Sequence, residues 1–296
     1  MNNIVVIGSC NIDITVLAKK RPVAGETILG DGLNVSPGGK GANQAVAAAK
    51  LGAHVTMVGC IGDDLYGKMI LDNLQFHHIN TDYITTLPDE TSGTAHITLA
   101  EGDNSIIVIQ GANAKVNEEV VDNAWPAIEK ADLVMVQNEI PLTTISYITK
   151  KCHDAGIKVL LNPAPAAALD SACLAEATYI TPNEHELASL YPGQSAEETM
   201  LAHEGKIIVT LGSAGVAYGE DGEIRRVPSF KVEPVDTTGA GDTFNGAFAT
   251  AIVNNKSIEE AIHYGNAAAA LSILKLGAQE GMPTDDEVAA FLEERR

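Results

Sequence analysis

The segment PGGKGANQAVAAAKLGAHVTMV, from Pro37 to Val58, holds a glycine-rich turn, a helical pattern and a strand in one short span. Gly41–Lys50 is Ala-rich and free of proline, as a buried helix requires. His54–Val58 is short, apolar and β-branched, and Gly59 follows it. Upstream, Ile4–Ile7 has the same character and ends at Gly8. Strand, helix and strand in this order describe a parallel unit, because parallel neighbours need a crossover between them. Further along, Leu133–Val136, Lys158–Leu161 and Ile207–Thr210 read as buried strands, and Asp64–Gln75, Asn117–Lys130 and Leu142–Ala155 as helices. The alternation predicts an α/β fold of three layers, with a mainly parallel central sheet covered on both faces.

Two stretches interrupt the alternation. Ile12–Ala18 and Thr27–Val35 read as strands joined by the turn Arg21-Pro22-Val23-Ala24-Gly25. Thr94–Leu99 and Ser105–Gln110 read as a hairpin around Glu101-Gly102-Asp103-Asn104. Together they predict a small β-sheet lid, built from about residues 12–35 and 94–110 of a single domain spanning 1–296. After Gly239 the chain reads as helical: Ala240–Asn254, Ser257–Leu276 and Asp285–Arg295.

Composition removes several classes of function. With 19 basic and 39 acidic residues the net charge is −20, which repels nucleic acid and anionic lipid. No apolar run approaches the ~20 residues of a membrane span. The start, Met1-Asn2-Asn3-Ile4, lacks the charged and apolar regions of a signal peptide, so a cytoplasmic protein is expected. Cys10, Cys60, Cys152 and Cys173 form no CxxC pair and read as small buried residues. No GxGxxG after a strand, HExxH, GxSxG or protein-kinase signature is present, and His77-His78 lacks ligand spacing.

The strongest local signal is Asp236-Thr237-Thr238-Gly239-Ala240-Gly241-Asp242-Thr243-Phe244. Small residues opening an apolar helix leave backbone N–H groups free at its N-terminus, where they suit a phosphate or a developing oxyanion. Asp242 in the first turn is then either a cap favoured by the helix dipole or a base beside an anion hole. Pro37-Gly38-Gly39-Lys40-Gly41-Ala42-Asn43-Gln44 describes a second anion or polyol site, or a structural turn; the spacing is not that of a Walker A loop. Asn11 and Asp13, two apart on an extended segment, share a face and suit vicinal hydroxyls, or else serve Asx-turn chemistry. Asn183 and Glu186 could hold a hydrated Mg²⁺, yet N-x-x-E is also the capping-box pattern. His185 reads as a surface residue. Glu139 follows a strand end, where α/β folds bind ligands.

Taken together, Gly38-Gly39-Lys40-Gly41-Ala42-Asn43-Gln44-Ala45 and Asp236–Phe244 resemble the two signatures of the ribokinase-like (PfkB) carbohydrate kinase family. Asn162-Pro163-Ala164-Pro165, Thr181-Pro182-Asn183-Glu184 and Thr210-Leu211-Gly212-Ser213 lie between them in the family's order. The resemblance runs from about Ile4 to Phe291 and implies the ribokinase-like fold. It implies transfer of the γ-phosphoryl group of ATP to a sugar hydroxymethyl group, first the 5-hydroxyl of D-ribose. Deoxyribose, another sugar or a nucleoside are alternative acceptors, and a sugar- or nucleotide-sensing protein without catalysis is the alternative of a different class. Asp242 matches the family's catalytic base, and Gly239, Ala240 and Gly241 its anion hole. Asn11, Asp13, Gly39, Lys40, Asn43 and Glu139 match sugar-binding positions. Asn183, Thr210, Gly212, Ser213, Gly241 and Asn266 match nucleotide-binding positions, and Glu186 a Mg²⁺-linked acid. Asp236, Thr238, Ser272, Lys275, Gly277 and Gly281 match a site for an activating monovalent cation, K⁺, held mostly by backbone carbonyls. The lid implies a homodimer. Pro192–Lys206 is shorter than the family pattern, which implies a trimmed peripheral helix. His96 stands in a lid strand where the family has an aliphatic residue, a departure that bears on lid packing and sugar preference.

Overall fold

The computed structural model describes residues 2–295. Its strands are β1 (Asn3–Ile7), β2 (Asn11–Leu17), β3 (Gly32–Gly38), β4 (His54–Gly62), β5 (Asn80–Leu87), β6 (Gly93–Ala100), β7 (Asp103–Ile109), β8 (Leu133–Gln137), β9 (Val159–Asn162), β10 (Tyr179–Ile180), β11 (Ile208–Thr210), β12 (Val216–Glu220) and β13 (Glu223–Val227). The helices are α1 (Lys40–Lys50), α2 (Leu65–Phe76), α3 (Glu118–Asn123), α4 (Trp125–Ile128), α5 (Leu142–Asp154), α6 (Ser171–Glu176), α7 (Glu184–Leu190), α8 (Ala196–Ala202), α9 (Ala240–Val253), α10 (Ile258–Ser272) and α11 (Asp285–Glu293).

Six strands form an all-parallel sheet in the order β10-β9-β8-β1-β4-β5. The nearly continuous apolar runs of β1 and β8 follow from burial on both faces. Ile4 and Val6 of β1 join one core with Met57 and Phe248, while Val5 and Ile7 join the other with Val58 and Val136. The parallel bridge Ile180↔Ile207 continues this sheet into an antiparallel one, β11-β12-β13. The chain passes from β1 outward to β4 and β5, then returns to β8 on β1's other side. That switch point opens a crevice at the strand C-termini, the usual ligand site of such sheets. A separate four-stranded sheet, β3-β2-β6-β7, rises from the two expected interruptions. Among the described residues no helix is long and apolar enough to cross a membrane.

Several boundaries differ from the sequence reading. The helix expected over Asn117–Lys130 is split into α3 and α4, because Pro126 has no N–H to give and is tolerated only in a first turn. The strand expected over Thr27–Val35 lies instead at Gly32–Gly38. It pairs residue for residue with β2 and runs through Pro37, which costs no ladder bond on an edge strand. The helix expected to reach Leu276 stops at Ser272, and the following turn delivers Gly277 to Asp236. β5 and the β12–β13 hairpin were not expected. The hairpin turns on Asp221 (φ 54°) and Gly222 (φ 76°), a left-handed pair typical of two-residue turns. The short segment between α7 and β11 still carries a helix, α8, started by a capping box of Ser195 and Glu198.

Candidate active site

The loop after β1, the start of α1 and the loop after β8 meet at the switch point. Ser9 Oγ donates to Glu139 Oε2 at 2.5 Å and accepts from the Gly41 N–H at 3.2 Å. The Lys40 N–H donates to the same Glu139 oxygen at 2.9 Å, so this carboxylate caps α1 from across the crevice. Gly39 makes the fit possible. Its φ is 87°, and a Cβ there would come 2.8 Å from the Asn11 nitrogen.

α9 crosses α1 at Gly246, where a Cβ would lie 2.5 Å from the Ala47 Cβ and 2.9 Å from the Gln44 carbonyl oxygen. One turn earlier on each helix, this close approach sets Asp242 against Asn43 and Gln44. Asn43 Nδ2 donates to Asp242 Oδ2 at 3.0 Å, and Gln44 Nε2 to Asp242 Oδ1 at 3.1 Å. Asp242 is only 7% exposed. At the head of α9 the Ala240 N–H turns to the Thr237 carbonyl at 3.3 Å and the Thr243 N–H to Gly239 at 2.8 Å. The N–H groups of Gly241 and Asp242 find no acceptor among the described residues, as expected for the first turn of a helix. A Cβ on Gly241 would meet nothing within 4 Å. The helix therefore opens onto space with free donors.

That space is a cavity of about 180 Å³ lined by Lys40, Asn183, Glu186, Thr210 and Gly239–Asp242, together with Asn162, Thr181, Thr237 and Asn245. Lys40 is half-buried with no carboxylate within 4 Å among the described residues, and the charge of Asp242 raises its pKa against the opposing effect of partial burial. Burial pushes the Asp13 carboxyl up to about 6, and the charges of Glu139 and Asp242 add to the rise while Lys40 opposes it. Burial likewise raises Glu186.

Asn183 and Glu186 form a capping box: Asn183 Oδ1 accepts from the Glu186 N–H, and Glu186 Oε2 from the Asn183 N–H, both at 2.8 Å. They also line the cavity. Asn11 is buried, and its Oδ1 accepts from Asn113 Nδ2 at 2.7 Å. Gly212 and Ser213 form a short 3₁₀ turn just beyond Thr210. Asn266 lies outside the cavity wall and spends its Nδ2 on the carbonyls of Val227 and Pro228 at 3.2 and 3.1 Å. Asp236 accepts from the N–H groups of Thr238 and Gly277 at 2.9 and 3.0 Å. Burial pushes its carboxyl up, but the Thr238 side chain together with these two N–H groups outweighs it and leaves the group below its ordinary value. A Cβ on Gly281 would come 2.2 Å from the Ser272 carbonyl oxygen and 3.2 Å from that of Gly277, so two carbonyls converge where a side chain is missing. The Lys275 ammonium points away, 3.6 Å from Glu287.

Register places His96. It pairs with Ile14 and Ile107, whereas Asp13 pairs with Ser36 and Ala95. Side chains paired across a sheet share a face and successive ones alternate, so His96 lies on the face opposite Asp13.

The profile of the pfkB family carbohydrate kinases matches residues 1–285. The chain belongs to this family of carbohydrate kinases. It is 51% identical to a ribokinase of Bacillus subtilis over 292 residues, covering 99% of this chain and all of that one. A deoxyribokinase of Salmonella typhimurium is 36% identical over 98% of each chain. The kinase superposes with a TM-score of 0.91 on the structure of Arabidopsis thaliana ribokinase complexed with ribose and ATP, at 35% identity and 99% coverage of both chains. Its six-stranded parallel sheet flanked by helices is thus that of a carbohydrate kinase. The residues missed in the sequence are Gln44, Gln137 and Gln279, amides whose partners lie far away in the chain. Gln44 alone carried a signal, its place inside the first family signature.

Proposed function

We propose that the chain is an ATP-dependent ribokinase, transferring the γ-phosphoryl group to the 5-hydroxyl of D-ribose. One observation carries the reading: a buried carboxylate, Asp242, oriented by two amides beside the free donors of a helix N-terminus and the Lys40 ammonium. The ribokinase relatives and the ribose- and ATP-bound neighbour support ribose and ATP as substrates. In this reading Asp13, Asn43 and Glu139 fix the sugar hydroxyls. Asp242 takes the proton as the sugar oxygen bonds to the γ-phosphorus and the bond to the ADP oxygen breaks. The N–H groups of Gly241 and Asp242, with Lys40, stabilise charge on the transferring phosphoryl oxygens. ADP leaves with the electron pair.

Four carboxylates (Asp13, Glu139, Glu186 and Asp242) face one ammonium in this site, a charge balance that disfavours a polyphosphate unless cations accompany it. Glu186 fits Mg²⁺: it lines the phosphate end of the cavity, and its cap uses only Oε2. Glu186 would hold a magnesium ion there, and the ion would supply positive charge to the transferring group. The converging carbonyls of Ser272 and Gly277, beside Asp236, suit the hard-oxygen preference of K⁺. The small sheet serves as the lid, with its Asp13 face toward the sugar. Its other face exposes Leu33, Val35, Ile107 and Ile109, an apolar surface that a second copy of the chain would cover in a homodimer.

The test is ADP release over pentoses, hexoses and nucleosides, with and without Mg²⁺ and K⁺, with the product located by phosphorus NMR. D-ribose is expected to give the highest kcat/KM and ribose 5-phosphate as product. Higher kcat/KM with deoxyribose or a nucleoside overturns the assignment of ribose, and binding of sugar without ADP release overturns catalysis.

A further inference from the structure

Two amides outside the cavity wall, Asn43 and Gln44, donate to Asp242, and each is held in turn by further amides. Gln44 is fully buried on α1, and its Nε2 donates to Asp242 Oδ1 at 3.1 Å and to Asn162 Oδ1 at 3.0 Å. Its own Oε1 accepts from Gln137 Nε2 at 2.8 Å, at the end of β8. The other carboxylate oxygen takes an N–H from Asn43, whose Oδ1 accepts from Gln279 Nε2 at 2.9 Å. Gln279 Oε1 in turn accepts from Asn73 Nδ2 at 2.8 Å, on α2.

A carboxamide can turn over and present its carbonyl in place of its amide hydrogens. Facing Asp242, that flip would set oxygen against a carboxylate oxygen in a buried site, where an unmatched polar group is costly. Each amide beside Asp242 is locked against the flip by a second amide holding its carbonyl. Ionised Asp242 can only accept, so both chains have one direction. One runs from Asn73 through Gln279 and Asn43 to Asp242, the other from Gln137 through Gln44 to Asp242.

We propose that Gln44 and Gln279 are positioning residues for phosphoryl transfer. They fix the rotamer and plane of the Asp242 carboxylate so that its open lone pairs meet the attacking hydroxyl, and neither touches a substrate. The proposal rests on the reading of Asp242 as general base. The two arms differ in a useful way: Gln44 acts on Asp242 directly, whereas Gln279 acts through Asn43, itself assigned to the sugar.

Steady-state kinetics with ATP and D-ribose, with thermal melting of each protein, test it on Gln44→Met, Gln279→Met, Asp242→Asn and the two doubles with Asp242→Asn. Displacing a reacting group by a fraction of its reach is expected to lower kcat by about 10- to 100-fold in Gln44→Met, with the KM for ribose within about twofold of the parent. Gln279→Met is expected to lower kcat and raise the KM for ribose together. Neither substitution is expected to lower the residual rate of Asp242→Asn further, since the group being aimed is gone. A Gln44→Met kcat within about twofold of the parent, with Asp242→Asn inactive, overturns the proposal and leaves the base assignment standing. Equal proportional losses with and without Asp242 also overturn it, because they report a general structural effect. If Gln44→Met fails to fold, the same comparison on Gln279→Met decides. Parental turnover in Asp242→Asn overturns the base assignment, and the proposal with it.

Discussion

Asp13 carries a cost that its neighbours explain. Burial together with the charges of Glu139 and Asp242 raises its carboxyl to about 6, far above an unfolded aspartate. A group raised in this way favours the fold below its unfolded pKa and withdraws that contribution as pH climbs through the folded value. Asp13→Asn is therefore expected to raise the stability of the sugar-free protein at pH 8 by about 1–3 kcal/mol, with the gain vanishing by about pH 4. Thermal melting across that pH range measures it. The same variant should lose most of its affinity for ribose, read by calorimetry, because an amide replaces the acceptor that suits vicinal hydroxyls. A gain that persists unchanged at pH 4 would show that ionisation is not its source.

At the scale of elements, the contact between α1 and α9 sets the geometry of the site. Gly246→Ala would place a methyl 2.5 Å from the Ala47 Cβ, so the helices must separate. Overpacking of this kind is expected to destabilise by about 1–3 kcal/mol in denaturant titrations. It should also lower kcat, because Asp242 moves away from Asn43 and Gln44. Elements buried on both sides, such as β1 and β8, were readable from their uninterrupted apolar runs. β5 was not, because at the sheet edge its run Asn80–Leu87 is half polar and only partly buried. Pro37 hid the true extent of β3, whose edge position only the assembled sheet reveals. The glycine-rich helix starts were legible because the free N–H groups there depend on local chain chemistry. The amide chains behind Asp242 were not, since the Gln279–Asn43 bond joins residues 236 positions apart. The capping box of Asn183 and Glu186 shows the same limit, because the pattern that caps the helix also lines the cavity.

Over the whole molecule the net charge is −20, and four carboxylates face Lys40 in the site, so in the proposed reading a polyanion binds there only with accompanying cations that add to the local positive potential of Lys40 and the helix termini. The four-stranded sheet presents β7 with all seven residues exposed, an open edge and an apolar face that a monomer seldom leaves uncovered. Sedimentation is expected to give a dimer, and Ile107→Lys with Leu33→Lys a folded monomer. A parent chain that sediments as a monomer would remove the dimer.

The proposed phosphoryl transfer turns on one carboxylate, and ADP release with D-ribose by Asp242→Asn tests it most directly. A fall in kcat of about 10²–10⁴ with the thermal midpoint preserved is the result it predicts. Turnover close to that of the parent would contradict it.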